Sequence, residues 1–318
     1  MRLVFIGSTN FGMKCLKECC SINNIDVVGI ITAPKKFDIS YSKSKVNNVS
    51  HADFYRFAND QNIPIESIKK SMHDELLVNS VLKWNPDLLL VVGWYHMIPK
   101  SYRSIAPAYG LHASLLPEYS GGAPLVWAII NGEKKTGISL FQMNDGVDSG
   151  PIAGQKVEII RSNDTISSLY KRIEEKGMSL ISEVMPILAK GELKLTIQDE
   201  SKRSIFPQRS PSDGLINWNE SSSFIERFIR AQTKPYPGAF ASFKGKKLHI
   251  WKAESQKKEI SNKSGKIFKN YKSQFSVSCG KGSIKLIEVN YESKFYTGDQ
   301  LVNLFVDKEN YFDLQIKN

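Results

Sequence analysis

A histidine and an aspartate stand in two turn-rich segments, each of which directly follows a strongly apolar run. His112 lies in 110–117, which reads Gly-Leu-His-Ala-Ser-Leu-Leu-Pro, and Asp148 lies in 144–151, which reads Asn-Asp-Gly-Val-Asp-Ser-Gly-Pro. Open α/β sheets bind ligands beyond the carboxyl ends of their strands, where loops carry the chemical groups. A carboxylate beside an imidazole stabilises its charged form, and such a pair can donate a proton or polarise a carbonyl. The two segments therefore predict an enzyme.

Covalent catalysis has little support in the sequence. Ser114 follows His112 by two residues, and no Gly-x-Ser-x-Gly elbow surrounds it. A cysteine nucleophile would need a thiol near His112, which the sequence leaves open. The favoured chemistry is direct transfer between two bound substrates, with the protein supplying positioning, proton transfer and oxyanion stabilisation. His96 also follows a buried strand and is equally a ligand contact or a structural residue, and we expect the other three histidines to be non-catalytic.

The first 150 residues alternate predicted strands with predicted helices. Short apolar runs mark the strands 3–6, 27–31 and 87–92, and the helices are predicted at 11–20, 54–61 and 73–84. This alternation predicts an α/β fold with a doubly wound, mostly parallel, Rossmann-like sheet. The turn 7–12 lacks both Gly-x-Gly-x-x-Gly and the Lys-Ser/Thr of an NTPase loop, so neither dinucleotide nor ATP binding is predicted.

The pattern changes after a long predicted helix over 163–190. A stretch rich in Ser, Pro and Gly at 201–215 is typical of a linker. We therefore predict a catalytic domain at 1–200 and a smaller, mainly β domain, an OB-like barrel, at 216–318. In the second domain we expect a helix that begins with a capping box at Ser223, followed by strands at 248–251, 275–278 and 284–289.

The net charge of +11 is concentrated in the second part of the chain. Residues 201–318 hold 21 basic and 11 acidic side chains, and twelve lysines lie between Lys244 and Lys285. A surface this rich in lysine attracts phosphate-bearing partners, nucleic acid included. A solvated lysine-rich face explains the same pattern, and we favour it.

Cysteine usage and hydropathy point to a reducing compartment. The four cysteines have no metal-ligand spacing, and Cys15 and Cys19 lie four apart on a predicted helix, as buried reduced thiols would. No apolar run reaches the roughly eighteen residues of a membrane span, and residues 1–7 have no secretory pattern. We expect a cytoplasmic enzyme without a membrane partner.

Three motifs give the chain a resemblance to the folate-dependent formyltransferases. They are His-x-Ser-Leu-Leu-Pro at 112–117, Gly-Gly-Ala-Pro at 121–124 and Asp-Gly-x-Asp-Ser-Gly at 145–150. The likeness runs from residue 1 to about residue 155 and resumes at 213–218 and 235–240. This family includes methionyl-tRNA formyltransferase, glycinamide ribonucleotide transformylase and the N-formyltransferases of nucleotide-linked amino sugars.

The resemblance implies that a substrate amine attacks the formyl carbon of N10-formyltetrahydrofolate. It implies that His112 stabilises the oxyanion and handles a proton, while Asp148 holds His112 charged and helps to deprotonate the amine. It implies no metal. The residues that it assigns to contacts with the folate are His96, Met97, Ile98, Ser114, Leu115, Leu116, Pro117, Asn144, Asp145, Gly146 and Val147.

Gly110 departs from the family pattern, which has asparagine two residues before the histidine. That side chain helps to hold the formyl oxygen, and the loss of one oxyanion donor costs about 2.7–4 kcal/mol in comparable acyl-transfer sites. We expect a backbone N–H or a water molecule to substitute at this catalytic position. The departure also leaves open a formyl-tetrahydrofolate hydrolase or a non-catalytic folate-binding protein.

The acceptor amine divides the family. Methionyl-tRNA formyltransferases carry a basic Arg-Gly-Lys-Lys insertion after the second strand, whereas this chain has Pro-Lys-Lys-Phe-Asp-Ile-Ser-Tyr at 34–41. The segments 47–54, 93–94 and 110–112 look more similar to sugar-modifying members, so a nucleotide-linked amino sugar used for surface glycans is the favoured acceptor. A tRNA is the alternative, and a carrier-bound aminoacyl group is a third. Homodimer formation is a further expectation.

Overall fold

The protein forms two compact units in the computed structural model, which describes residues 1–39, 45–69, 71–258, 261, 263–269, 274–305 and 310–312. Unit 1 comprises Met1–Gly121, Thr136–Ile159 and Lys171–Phe206. Unit 2 comprises Gly122–Lys135, Ile160–Tyr170 and Pro207–Asn318. Each unit is thus assembled from separate stretches of chain, while the domain boundaries at 200 and 215 stay a prediction.

The strands up to residue 206 lie in unit 1, apart from Lys135 at the start of one of them. They are β1 Arg2–Ile6, β2 Asp26–Thr32, β3 Lys36–Phe37, β4 Val46–Asn47, β5 Ile65–Ser67, β6 Leu88–Val91, β7 Ala108–His112, β8 Ser120–Gly121, β9 Lys135–Gln142, β10 Ile152–Ile159 and β11 Ile205–Phe206. Seven of them form one sheet in the order β10-β9-β7-β6-β1-β2-β5. Neighbours from β7 to β5 pair in parallel, which confirms the predicted α/β class. Strand β9, in contrast, runs antiparallel to β7.

Five of the described helices agree with predicted positions, and three others, at 100–103, 124–131 and 301–304, were not predicted. The helices are α1 Asn10–Ser21, α2 Phe54–Gln61, α3 Glu75–Trp84, α4 Lys100–Arg103, α5 Pro124–Asn131, α6 Ile166–Ala189, α7 Ser222–Gln232 and α8 Leu301–Leu304. Short 3₁₀ turns occupy Glu200–Lys202, Pro211–Gly214 and Gly298–Gln300. The capping box predicted at Ser223 is wrong, because the N-cap of α7 is Ser221, two residues earlier, whose hydroxyl accepts the N–H of Phe224 at 3.3 Å. Any serine of the run 221–223 can serve as an N-cap, although only Ser223 has the spacing of a capping box.

Unit 2 contains an antiparallel sheet that follows α7. Its strands are β12 Ala239–Phe243, β13 Lys246–Gln256, β14 Lys266–Lys269, β15 Phe275–Ser278, β16 Ser283–Tyr291, β17 Lys294–Thr297 and β18 Asn310–Tyr311. The order is β12-β13-β16-β15-β14-β18, and β17 also pairs with β16. Trp218, Leu248, Ile250, Val277 and Val289 are among its buried core residues. The sheet has the form of a half-barrel, which confirms the predicted mainly β C-terminal part.

The cysteines are free thiols, and Cys15 and Cys19 are buried as predicted. Burial raises the pKa of both thiols above the ordinary range, so they stay protonated at neutral pH. Within the described ranges, no three His, Cys, Asp or Glu side chains are grouped closely enough to hold a metal ion. None of the described helices is both long and apolar enough to cross a membrane.

Candidate active site

His112 is the last residue of β7 and lies opposite Ser139 of β9. Its Nδ1 is 3.6 Å from Oδ2 of Asp148, and its Nε2 is 2.7 Å from the carbonyl oxygen of Tyr119. The two side chains are 11% and 22% exposed, so solvent screens their interaction only partly. The structure therefore brings together the imidazole and the carboxylate that the sequence singles out, and we call them the dyad.

Asp148 reaches the imidazole through a turn that follows an antiparallel strand. Since β9 is antiparallel, its carboxyl end at Gln142 lies opposite Tyr109, at the far end of β7 from His112. The chain after β9 folds back, and the N–H of Gln142 donates to the carbonyl of Pro151. Asp148 adopts a left-handed backbone conformation in this loop, with φ of 51°. The carboxylate thus arrives through a folded loop and not from a parallel strand end.

One short backbone segment, 119–121, contacts both members of the dyad. The carbonyl of Tyr119 faces Nε2 of His112, and the N–H of Gly121 donates to Oδ2 of Asp148 at 2.7 Å. Gly121 has φ of 90°, and a Cβ there would lie 2.5 Å from the carbonyl oxygen of Phe206. Only glycine fits this backbone.

Each nitrogen of the His112 ring faces an acceptor, so an imidazole that is protonated at both nitrogens has an acceptor for each N–H. The carboxylate of Asp148 also offsets the positive charge of that form. A fixed imidazolium in a partly buried site stabilises a negative charge that develops on a substrate oxygen, and it can release a proton. The arrangement suits acyl transfer.

Gly110 leaves a space on β7 that Met143 fills. A Cβ at position 110 would lie 2.4 Å from Cε of Met143 and 3.6 Å from the ring of Phe141. Gly110 and His112 are two residues apart on the strand and therefore share one face of the sheet. The terminal methyl of a flexible thioether thus takes the space that the Cβ of an asparagine at this position would need. Sequence reasoning noted the missing asparagine but not Met143.

The segment that follows β6 contains two buried nitrogen atoms with no described hydrogen-bond partner. They are Nε2 of His96 and Nε1 of Trp94. The ring centroid of His96 is 5.2 Å from that of Phe37 and 5.5 Å from that of Trp94. Burial lowers the pKa of His96, so the imidazole is neutral at pH 7. Of the neighbouring residues with a predicted folate contact, Met97 is 70% exposed and Ile98 is buried.

The segment 114–117 is largely engaged in internal contacts. The Ser114 hydroxyl donates to the carbonyl of Glu118 at 2.7 Å, and Ser114 is buried. The N–H of Leu116 donates to the Ser139 hydroxyl at 3.1 Å, and Leu116 is buried as well. These contacts fix the loop beside His112. A direct folate contact by any residue of 114–117, Leu115 and Pro117 included, stays a prediction.

The loop 144–147 is exposed and ordered by its own polar groups. Oδ1 of Asn144 accepts the N–H of Gly146 at 3.0 Å and the hydroxyl of Ser149 at 2.8 Å. The Arg103 guanidinium donates to Asp145 at 2.5 Å and lowers the pKa of that carboxyl. Val147 is 45% exposed. This loop presents polar and apolar groups to an incoming ligand.

Three residues around the dyad carried no sequence signal. Gln198, Ser204 and Phe206 follow α6 and contact either the Asp148 loop or the 119–121 segment. Two of them lie within the stretch predicted to be a linker. A single sequence contains no motif for such contacts, because each depends on backbone groups that are distant along the chain.

Comparisons with known proteins agree with this geometry. Residues 1–185 match the family model for formyl transferase, and residues 209–304 match the model for the formyl transferase C-terminal domain.

Solved structures with the same fold share little sequence with this chain. HypX from Aquifex aeolicus in complex with tetrahydrofolic acid is 16% identical with a TM-score of 0.61, covering 97% of this chain and 48% of HypX. This chain therefore spans about half the length of HypX. The sugar 3N-formyl transferase WlaRD, solved in the presence of dTDP and 5-N-formyl-THF, is 19% identical with a TM-score of 0.61 and coverages of 90% and 97%. The N-formyltransferase from Helicobacter canadensis, solved with folinic acid and dTDP-3-aminofucose, is 18% identical with a TM-score of 0.63 and coverages of 89% and 98%.

Proposed function

Because the chain belongs to the formyl transferase family, we propose that it moves a formyl group from N10-formyltetrahydrofolate to the primary amine of a nucleotide-linked amino sugar. The observation that carries this proposal is the position of His112, whose two ring nitrogens face the carboxylate of Asp148 and the carbonyl of Tyr119. The imidazole is thus held in a fixed position beside a polar loop and a carboxylate, as the stabilisation of an oxyanion requires.

The residues after β6 fit a folate. A reduced pterin offers several hydrogen-bond donors and acceptors on a flat ring. Nε1 of Trp94 is a donor, and Nε2 of the neutral His96 is a donor or an acceptor according to its tautomer. A buried polar group without a partner costs about 1–3 kcal/mol, and a bound polar ring would remove that cost. Phe37 adds an apolar ring beside His96.

The proposed reaction uses the dyad in two ways. The amine nitrogen forms a bond to the formyl carbon, and the carbonyl oxygen becomes an oxyanion that the His112 imidazolium stabilises. The bond between the formyl carbon and N10 then breaks, and the proton that the amine loses balances the one that N10 gains. Asp148 offsets the charge of His112 and helps to take up the amine proton. No covalent enzyme intermediate is required.

The sugar acceptor is supported by the extent of the structural matches. The chain covers 97% and 98% of the two sugar-associated structures but only about half of HypX. A tRNA acceptor is the second candidate, and the observation in its favour is the excess of basic side chains in residues 201–318. The role in surface glycans, the cytoplasmic location and the homodimer stay predictions.

A formylation screen tests the proposal. Purified protein is incubated with N10-formyltetrahydrofolate and either a panel of nucleotide-linked amino sugars, methionyl-tRNA or no acceptor, and tetrahydrofolate release is followed. We expect release that depends on an amino sugar. Release that depends only on methionyl-tRNA would identify tRNA as the acceptor. Release without an acceptor would indicate a hydrolase.

A further inference from the structure

The segment 198–206 contacts the backbone groups that hold both members of the dyad. It lies in unit 1 after α6 and includes β11. We infer that Gln198, Ser204 and Phe206 are positioning residues, which set the distance between His112 and Asp148. Their effect on catalysis rests on the proposed function, whereas their effect on the dyad geometry does not.

Gln198 anchors the loop that carries Asp148. Its Nε2 donates to the carbonyl of Asp148 at 2.8 Å and to the carbonyl of Gly150 at 2.6 Å. The residue is only 6% exposed, and its Oε1 is buried without a partner among the described residues. An unpaired buried acceptor is unfavourable. The two N–H groups of the amide hold the left-handed turn at Asp148 on both sides.

Ser204 fixes the segment that carries the carbonyl facing His112. Its hydroxyl accepts the N–H of Tyr119 at 2.9 Å, and its carbonyl accepts the N–H of Ser120 at 2.9 Å. Tyr119 has φ of 57°, a conformation that a non-glycine residue adopts only when its surroundings hold it. The direction of the Tyr119 carbonyl, and with it the acceptor for Nε2 of His112, therefore depends on Ser204.

Phe206 acts on the same segment through its side chain and its backbone. Its ring stacks on that of Tyr119, with centroids 4.6 Å apart and planes 5° apart. Its backbone pairs with Gly121, the residue whose N–H donates to Asp148. One short strand, β11, thus supports the backbone contacts of both dyad residues.

Small displacements matter at this site. The distance of 3.6 Å between Nδ1 of His112 and Oδ2 of Asp148 is slightly longer than a normal hydrogen bond. A shift of about 1 Å at a reacting group can lower a rate about 100-fold. Loss of a support should therefore lower kcat more than it weakens folate binding, because none of the three supporting residues is itself a predicted folate contact.

The first test replaces Gln198 with leucine, which keeps the bulk and removes both N–H donors. We expect kcat to fall about 10- to 100-fold with the dissociation constant for 5-formyltetrahydrofolate within about twofold of wild type. Arg172→Leu is the matched control, because Arg172 donates to Glu158 and to the carbonyl of Ile159, outside the candidate site. The control should lose stability and keep kcat.

The second readout does not depend on activity. Histidine ring ¹⁵N chemical shifts report which ring nitrogens carry protons and hydrogen bonds, and only five histidines need assignment. Gln198→Leu and Ser204→Ala should change the His112 ring shifts, while Arg172→Leu should leave them unchanged. Phe206→Leu should also change them, and Phe206→Tyr, which retains the stacked ring, should restore the wild-type shifts.

The outcomes separate the two proposals. If the folded Gln198, Ser204 and Phe206 variants keep wild-type ring shifts, the positioning role is wrong whatever the activity. If the ring shifts change as expected but wild-type protein formylates no amine in the screen, the positioning role stands and the proposed function fails.

Discussion

The dyad and the segment after β6 differ in the partners of their polar groups. Both ring nitrogens of His112 face protein acceptors, and Asp148 accepts a backbone N–H from Gly121. In contrast, Nε2 of His96 and Nε1 of Trp94 are buried without described partners. The proposed roles account for this difference: a group that stabilises developing charge must be fixed before the substrate arrives, whereas a group that binds a ligand can obtain its partner from that ligand.

The largest expected effect follows from removing the dyad. His112→Ala and Asp148→Ala should each lower kcat about 100- to 10,000-fold, as the loss of a general acid–base group does. Binding of 5-formyltetrahydrofolate, measured by calorimetry, should change little because neither residue is among the predicted folate contacts. Turnover at the wild-type rate in either variant would contradict the catalytic assignment of the dyad. It would also remove the contrast between the dyad and the segment after β6.

Gly110→Asn tests whether the dyad region lacks a donor. The nearest atom to the new Cβ is the terminal methyl of Met143, which can move, and the ring of Phe141 lies farther away. We expect kcat to rise, by at most about tenfold, because an oxyanion donor is returned while Met143 must shift. The kcat of the double variant Gly110→Asn with Met143→Ala should rise further. A fall in kcat for the double variant would show that a different donor already fills this role.

His96→Leu tests the proposed binding role of the segment after β6. Loss of one net hydrogen bond of about 0.5–1.5 kcal/mol should weaken 5-formyltetrahydrofolate binding roughly three- to tenfold. The kcat at saturating folate should stay near the wild-type value, since the dyad is intact. Phe37→Leu is a control that removes only ring contact. A loss of kcat equal to that of His112→Ala would show that His96 takes part in catalysis together with the dyad.

The smallest effect concerns pH. Burial lowers the pKa of His96 below its ordinary value of 6.5, so the unfolded chain binds this proton more readily than the folded protein. The free energy of unfolding should therefore fall as the pH drops through 6.5. The slope with pH that this residue contributes corresponds to less than one proton. Urea titrations at pH 5.5 and 7.5 should show this fall, and His96→Gln should reduce it. The pKa of His249 is lowered as well, so His249→Gln removes a separate part of the same dependence.

Helix and strand positions were largely predictable because they follow local patterns. Helix α2 spans the predicted residues 54–61, and the apolar run 87–92 contains β6. The predicted N-cap was wrong by two residues because three adjacent serines can each cap the helix. The linker prediction missed β11, whose two residues form a strand only by pairing with β8.

The sequence by itself determined which residues we propose for the chemistry, because His112, Asp148 and their flanking glycines form a local pattern that is visible without coordinates. It also determined the alternation of elements that makes a mostly parallel sheet. Only the tertiary structure decided that β9 is antiparallel, that Asp148 arrives through a folded loop, and that 198–206 supports both dyad residues. These features depend on hydrogen bonds between backbone groups distant along the chain, and backbone groups are the same in every residue type.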